Sequence, residues 1–173
     1  AGDPRIIVAV VDGGIMSDHP DLAANMWVNT AEAEGSPGID DDQNGYVDDI
    51  HGYNFVTMQG TINADMHGTH VAGTIAAVNN NGYAVSGIAG GTGNDDGVKL
   101  MSCQIFDGED GCQPWQIAAA FKYAADNGAV ILNNSWGYEP GGYTSDNDFE
   151  KWDSALKNAI DYFQSNARLE GVM

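Results

Sequence analysis

Two kinds of hydrophobic pattern take turns along the chain. Continuous apolar, largely β-branched runs predict strands that are buried on both faces, at 5–12, 98–106 and 129–135. Longer runs, rich in alanine or with an apolar stripe at helical spacing, predict helices at 67–78, 114–128 and 148–167. Alternation of strands and helices favours βαβ units.

Residues at the helix ends support these assignments. Asp65 is placed to cap the first helix, and the second begins at Pro114 and stops at Gly128, the asymmetry that helix termini favour. The apolar stripe of the last helix consists of Trp152, Leu156, Ala159, Ile160 and Phe163.

The predicted fold is α/β, in three layers, with a mainly parallel sheet and helices on both faces. The chain shows no internal boundary, so residues 1–173 are expected to form one domain with an acidic loop, 30–53, inserted into it.

Charge narrows the classes of partner. Six Lys and Arg residues against 25 Asp and Glu residues give a net charge of −19 at pH 7. Such a surface repels phosphate backbones, so nucleic-acid binding is not expected. The acids either form a solvated surface or bind cations. No apolar run is long enough to span a bilayer, so no membrane span is expected.

Cys103 and Cys112 are the only cysteines. They are placed to close a loop between a strand and a helix as a disulfide, or to remain two free thiols; spacing alone does not choose between these.

Two residues at element ends suggest acid–base chemistry. Asp12 stands where the first strand stops, the edge at which ligands gather in open α/β sheets. His67 begins a helix, where exposed N–H groups favour its neutral, basic form and a carboxylate would stabilise its cation. Together they suit a general base with its orienting acid. Taken singly, an aspartate bonding its own turn and a capping histidine are the simpler interpretations.

The segments "VAVVDGGI", "HGTHVAGTIAA" and "NNSWG" resemble the N-terminal part of the catalytic domain of subtilisin-like serine peptidases (subtilases). The resemblance implies a serine endopeptidase in which Asp12 orients the imidazole and His67 activates the serine. Gly13 departs from the Ser or Thr usual in that family.

The same resemblance implies how a peptide or protein substrate is held. Extended backbone at Ser135, Trp136 and Gly137 would pair with it, and a second edge strand is expected near 110–112. An extracellular or cell-surface location is likewise implied.

The segment "DDDQNGYVDD" indicates a cation site. Asp40, Asp42, Asn44 and Gly45 fit positions 1, 3, 5 and 6 of a calcium loop. Tyr46 would give its carbonyl, and Asp48 would act directly or through water. Position 12, normally Glu, is His51, so Asp49 is expected to substitute. The predicted cofactor is structural calcium; the alternative is a solvated acidic loop.

The family's Gly-Thr-Ser-Met-Ala motif, which carries the nucleophile, does not occur in the sequence, nor does the Ala-Gly-Asn context of the oxyanion asparagine. We therefore expect an N-terminal fragment of a catalytic domain, inactive alone, whose truncated sheet edge favours self-association.

Two other functions stay open at this point. One is a calcium-binding pseudoenzyme or peptide-binding module on the same fold. The other is a metallohydrolase that uses His67, His70 and Asp12, although the Glu of a His-Glu-x-x-His motif is lacking.

Overall fold

A computed structural model describes residues 2–137 and 145–167. The strands are β1 (Ile7–Gly13), β2 (Gly52–Asn54), β3 (Lys99–Asp107), β4 (Asp110–Gly111) and β5 (Ile131–Asn134). The helices are α1 (Thr30–Glu34), α2 (Met66–Ala76), α3 (Pro114–Asp126), α4 (Asp146–Trp152) and α5 (Ser154–Asn166), with a 3₁₀ turn at Ala23–Asn25. Strands β2, β3, β1 and β5 lie side by side in that order, all parallel, and β4 forms an antiparallel hairpin with β3.

Strand β1 is the centre of the sheet and is buried on both faces. Val8 and Val10 pack in one apolar cluster with Ala72 and Ala76 of α2. The alternate residues, Ala9 and Val11, pack in a second cluster with α3 and α5. The continuous apolar run of β1 is therefore explained by helices on both faces, and the predicted three-layer α/β architecture is confirmed.

Helix α2 lies unusually close to the end of β1. A Cβ on Gly68 would lie 2.2 Å from the carbonyl oxygen of Gly13, well inside contact distance. Ala72 and Ala76, which belong to the same helix, are fully buried. Small residues are thus required on this face, because any larger side chain would push the helix away from the strand.

The last predicted helix is in fact two helices. Asp153 ends α4 and caps α5, its carboxylate accepting from the N–H of Leu156 at 3.3 Å. An aspartate that bonds nearby backbone in this way competes with helix continuation, which the apolar periodicity alone did not reveal. Leu156, Ala159, Ile160 and Phe163, four members of the predicted apolar stripe, all pack in the cluster on the α3 side. The side chain of Trp152, the fifth member, lies outside the described residues.

The acidic segment 30–53 was predicted to be a loop. In the structure it also contains α1 and most of β2. Backbone pairing of Gly52–Asn54 with Ser102–Gln104 brings the end of this segment into the sheet.

Within the described residues β5 pairs only with β1, which leaves its other side open. A largely apolar groove of about 570 Å³ lies beside it, lined by Ile131, Leu132, Leu156, Ile160 and Phe163 among others. Self-association through this edge stays a prediction. None of the helices in the described ranges combines the length and apolarity that a bilayer crossing needs.

Both cysteines are free thiols. Burial raises the pKa of Cys112 to about 12 and that of the fully buried Cys103 further, so neither is a reactive thiolate at neutral pH.

Two glycines of α2 test the close approach to β1. Gly68→Ala should lower the free energy of unfolding by about 1–3 kcal/mol, because the new methyl meets backbone. Gly73→Ala is the matched control: the nearest atom to its Cβ is a Val85 methyl at 3.9 Å, so the helix propensity of alanine should raise stability by up to about 1 kcal/mol. Urea unfolding measures both, and equal effects would contradict the close approach.

Candidate active site

Asp12 lies at the carboxyl end of β1, where the register with β3 shifts between Asp12 and Gly13. Its side chain is 2 % exposed. Oδ1 accepts two hydrogen bonds, from the N–H of Gly13 and from Nδ1 of His67, each at 2.7 Å. Oδ2 is buried and has no hydrogen-bond partner among the described residues. The carboxylate is therefore held toward His67 through a single oxygen.

His67 lies in the first turn of α2 and reaches the carboxylate from the cleft side. Because the carboxylate of Asp12 accepts, Nδ1 carries the hydrogen and Nε2 is left as the basic nitrogen in the neutral ring. The hydrogen bond to Asp12, followed by the attraction of its charge, raises the pKa of His67 above its usual 6.5. The predicted acid and base are thus in direct contact.

A cleft of about 220 Å³ opens at this pair, lined by Asp12, Gly13, Asp65, His67, Phe106, Gly108 and Ser135. Of the three predicted substrate-binding residues, Ser135 lines the cleft, and its hydroxyl accepts from Asn133 Nδ2 at 3.0 Å. Trp136 and Gly137 line the neighbouring apolar groove beside β5, and the Trp136 ring lies edge-on to Phe106 at 6.5 Å. Their roles in substrate binding stay predictions.

The second predicted edge strand coincides with β4, where Asp110 and Gly111 pair with Asp107 and Phe106 of β3. This hairpin forms the wall of the cleft opposite β5. The role of 110–112 in binding peptide stays a prediction.

A carboxylate cluster forms in the acidic segment. Glu32, Asp40 and Asp42 each bring an oxygen within 4.8 Å of the others, the only such group of three or more potential metal ligands among the described residues. Among the described residues, His67, His70 and Asp12 form no such group, and His70 lines a different groove from the cleft at Asp12 and His67. The geometry therefore does not favour the metallohydrolase alternative.

The backbone of 40–46 wraps around the carboxylates of this cluster. Asp40 accepts from the N–H groups of Asn44 (3.0 Å) and Gly45 (2.8 Å), and Asn44 Oδ1 accepts from the N–H of Tyr46 (2.7 Å). Gln43 and Gly45 have positive φ, 58° and 93°, which produces the sharp turn. Such a turn is the one that a calcium-loop sequence predicts.

Asp48 and Tyr46, which were also predicted as ligands, and His51, which stands at position 12, have contacts within the fold. Cation binding by Asp48 and by the Tyr46 carbonyl stays a prediction. Asp48 accepts from the N–H of Gly38, and His51 Nδ1 contacts the Trp27 carbonyl at 2.8 Å. The Tyr46 ring packs edge-on against those of Tyr53 and Tyr123.

Asp49 is fully buried, where it accepts from Asn29, Asn44 and the hydroxyl of Tyr123. Burial raises its pKa, and these three donors oppose that effect. Asp49 therefore fastens the acidic segment to α3.

Sequence reasoning missed Glu32, whose carboxylate also accepts from the N–H groups of Asp41 (2.6 Å) and Asp48 (2.8 Å). Glu32 was missed because it lies outside the D-x-D-x-N-G motif. An acidic residue shortly before the first aspartate of such a motif is the signal that could have identified it. Phe106 was also missed as a wall of the cleft, because apolar strand residues give no chemical signal.

Comparison with known proteins shows what this arrangement is similar to. A sequence model of the Subtilase family matches residues 3–171. "Subtilisin-like protease 1" of Plasmodium vivax is 37 % identical over 133 residues, covering 76 % of this chain and 20 % of that protein. "Cell wall-associated protease" of Bacillus subtilis is 36 % identical over 138 residues, covering 79 % and 12 %.

Among solved structures, fervidolysin from Fervidobacterium pennivorans, a keratinolytic enzyme related to subtilisin, matches with a TM-score of 0.58 and 28 % identity, over 93 % of this chain and 20 % of that one. The chain spans about a fifth of the length of the first curated relatives that it matches.

Tyr123→Phe tests whether Asp49 anchors the acidic segment. Removing the hydroxyl should lower the free energy of unfolding by about 1–3 kcal/mol at neutral pH, because a buried carboxylate loses one of its three donors. The loss should shrink in acid, where Asp49 becomes protonated. Tyr53→Phe is the control, since Tyr53 belongs to the same ring cluster but does not donate to Asp49. Equal losses in both variants, measured by urea unfolding, would contradict the anchor.

Proposed function

Since this chain belongs to the subtilase family of serine proteases, we propose that it is the part of a serine endopeptidase catalytic domain that supplies the acid and the base. The observation that carries the proposal is the 2.7 Å hydrogen bond from His67 Nδ1 to buried Asp12, at the mouth of a cleft. The proton transfers of acyl transfer require a general base, an acid that orients it and a cleft that admits the substrate, and all three are found here.

In this mechanism His67 removes the proton of a serine hydroxyl through Nε2. Asp12 keeps the other nitrogen protonated, which fixes the tautomer, and its charge stabilises the imidazolium that forms. His67 then returns the proton to the leaving amine. The 60 % exposure of the His67 side chain leaves its ring accessible for both transfers.

The serine and an oxyanion donor are not among these 173 residues in their usual motifs. In subtilisin, loss of the serine alone lowers turnover by about 10⁶-fold. We therefore expect these 173 residues alone to be inactive, and the hydroxyl to come from polypeptide joined to them in the enzyme.

The roles of Asp12 and His67 are tested in the catalytic domain that contains this chain together with its serine. His67→Ala should abolish turnover. Asp12→Asn should lower kcat by about 10⁴-fold, because the imidazole loses its tautomer and the charge that stabilises its cation. Asp12→Asn should also move the acid limb of kcat/KM to lower pH, since the carboxylate is what raises the pKa of His67.

Asp18→Asn serves as the control, because Asp18 is an exposed aspartate that does not line the cleft. A fluorogenic peptide assay at several pH values gives all three results. Near-normal activity of either site variant would refute the assigned roles. Turnover by the 173 residues alone that a serine-directed phosphonate abolishes would instead refute their expected inactivity.

We also propose that the carboxylate cluster of Glu32, Asp40 and Asp42 holds calcium. The donors are all hard oxygens, and these carboxylates take part in none of the ion pairs found among the described residues. When bound, the ion would neutralise the mutual repulsion of the carboxylates. Its role would be structural, because the cluster and the cleft share no residue.

Calcium binding should raise the melting temperature. The free energy of unfolding should increase by about 2.7 kcal/mol when free Ca²⁺ is 100 times Kd. Asp40→Asn and Glu32→Gln should each weaken binding measured by calorimetry, whereas Asp18→Asn should not. Glu32→Gln separates the cluster found in the fold from a site built only on residues 40–51. Identical melting in EDTA and in millimolar Ca²⁺ would overturn the proposal.

A non-catalytic calcium-binding or peptide-binding module is the second candidate. The carboxylate cluster supports it, since that feature does not depend on a serine. An active serine in the complete catalytic domain decides against it.

The expected substrate is a peptide or protein that lies in the cleft between Ser135 and the β4 hairpin. We propose an extracellular or cell-surface location, which the name of the Bacillus subtilis relative supports.

A further inference from the structure

Asp65 connects the two elements that carry the candidate catalytic pair. Its Oδ1 accepts from the backbone N–H groups of His67 (2.8 Å) and Gly68 (3.1 Å), which caps α2. Its own N–H donates to the carbonyl of Gly14 at 2.7 Å, just after β1. One residue therefore determines where the first turn of α2 lies relative to Asp12.

Gly13 provides the space that Asp65 needs. A Cβ on Gly13 would lie 2.5 Å from Oδ1 of Asp65 and 2.6 Å from its Cβ and Cγ. Gly13 is not among the residues with positive φ, so the backbone conformation does not explain the glycine. The family usually has Ser or Thr at this position. Here it is Gly13, and the carboxylate of Asp65 occupies the space that a side chain would fill.

The charge of Asp65 acts on the imidazole together with that of Asp12. From β1 the ring faces Asp12, and from the start of α2 it faces Asp65. The hairpin across the cleft carries Asp107, Glu109 and Asp110. Asp107 is engaged by the amides of Asn54 and Asn63, at 3.3 and 2.7 Å. The side toward β5 presents Ser135, which does not titrate.

We propose that Asp65 is a positioning residue for His67: it holds the turn that carries the imidazole against the end of β1 and adds a second carboxylate that favours the imidazolium. This rests on the proposed role of His67 as the base. The hydrogen bonds from the N–H groups of His67 and Gly68 fix the backbone from which the imidazole extends. The packing against Gly13 fixes the carboxylate of Asp65. The positive end of the helix dipole opposes the imidazolium, and the charge of Asp65 offsets it. Attraction by Asp65 adds to the larger effects of Asp12 in raising the pKa of His67.

Titration of His67 in this chain by NMR tests the proposal without any need for turnover. Asp65→Asn keeps an oxygen that can cap α2 and removes only the charge, so the fold should persist while the midpoint of the His67 titration moves to lower pH. Gly13→Ala should move the midpoint in the same direction, because its methyl displaces the Asp65 carboxylate. Asp18→Asn removes one charge at an exposed site and should leave the midpoint unchanged.

An unchanged midpoint in Asp65→Asn, or a shift equal to that of Asp18→Asn, would overturn the role of Asp65. That result would leave the hydrolytic role of His67 standing, because turnover of the complete catalytic domain tests that role separately. Asp12→Asn provides the reference within the same experiment, since it removes the largest influence on the ring.

Discussion

The close approach of α2 to the end of β1 is the constraint on which the candidate site depends. The pair of Asp12 and His67 exists because a helix start and a strand end lie in backbone contact, which the glycines at 13 and 68 permit. A hydrogen bond of 2.7 Å between side chains 55 residues apart requires that both backbones be fixed. The buried faces of β1 supply that rigidity: Val8 and Val10 contact the α2 side, and Ala9 and Val11 the opposite side. The tight packing of the core on both faces of β1 thus fixes the positions of Asp12 and His67 at the edge of the sheet.

The same contact explains why the two partners differ in exposure. Asp12 is 2 % exposed and His67 is 60 % exposed, so the charge that orients the ring is shielded while the ring itself reaches solvent. A buried carboxylate is costly unless it is paired, and the imidazolium is a partner that appears only when a proton arrives. Among the described residues, the second oxygen of Asp12 has no hydrogen-bond partner, so His67 provides the side-chain contact of this carboxylate. Such an environment favours transient proton uptake by His67, which is the property that a general base needs.

The pattern of apolar positions was sufficient to predict the sheet and the helices on both faces, because residues buried on two sides leave a continuous apolar run. It failed where a polar side chain decides local structure, as at Asp153, which divides one predicted helix into two. In the candidate site, Asp12 and His67 were predictable because motif chemistry and element ends coincide. Asp65 was predicted as a cap, but its contact with Gly13 joins residues 52 positions apart and leaves no pattern in the sequence. The bond from Tyr123 to Asp49 was not predictable either, since the burial of a loop carboxylate depends on distant packing.

The acidic segment and the candidate catalytic pair are attached to the sheet on different sides, and this bears on how a bound cation would act. Asp49 bonds to Tyr123 of α3, and Tyr46 and Tyr53 pack with Tyr123 in the same aromatic cluster, opposite to α2. Strand β2, at the end of the segment, pairs with β3, and β3 pairs with β1. Order in the segment therefore reaches the site through the sheet, and also through the loop before α2, because the carbonyl of Asp48 lies against Gly60. A cation that binds the folded segment and not the unfolded chain stabilises the whole domain by mass action, because the segment and the sheet unfold together. The local charge around His67 is set instead by Asp12 and Asp65, so calcium would control how much of the protein is folded rather than the basicity of its imidazole.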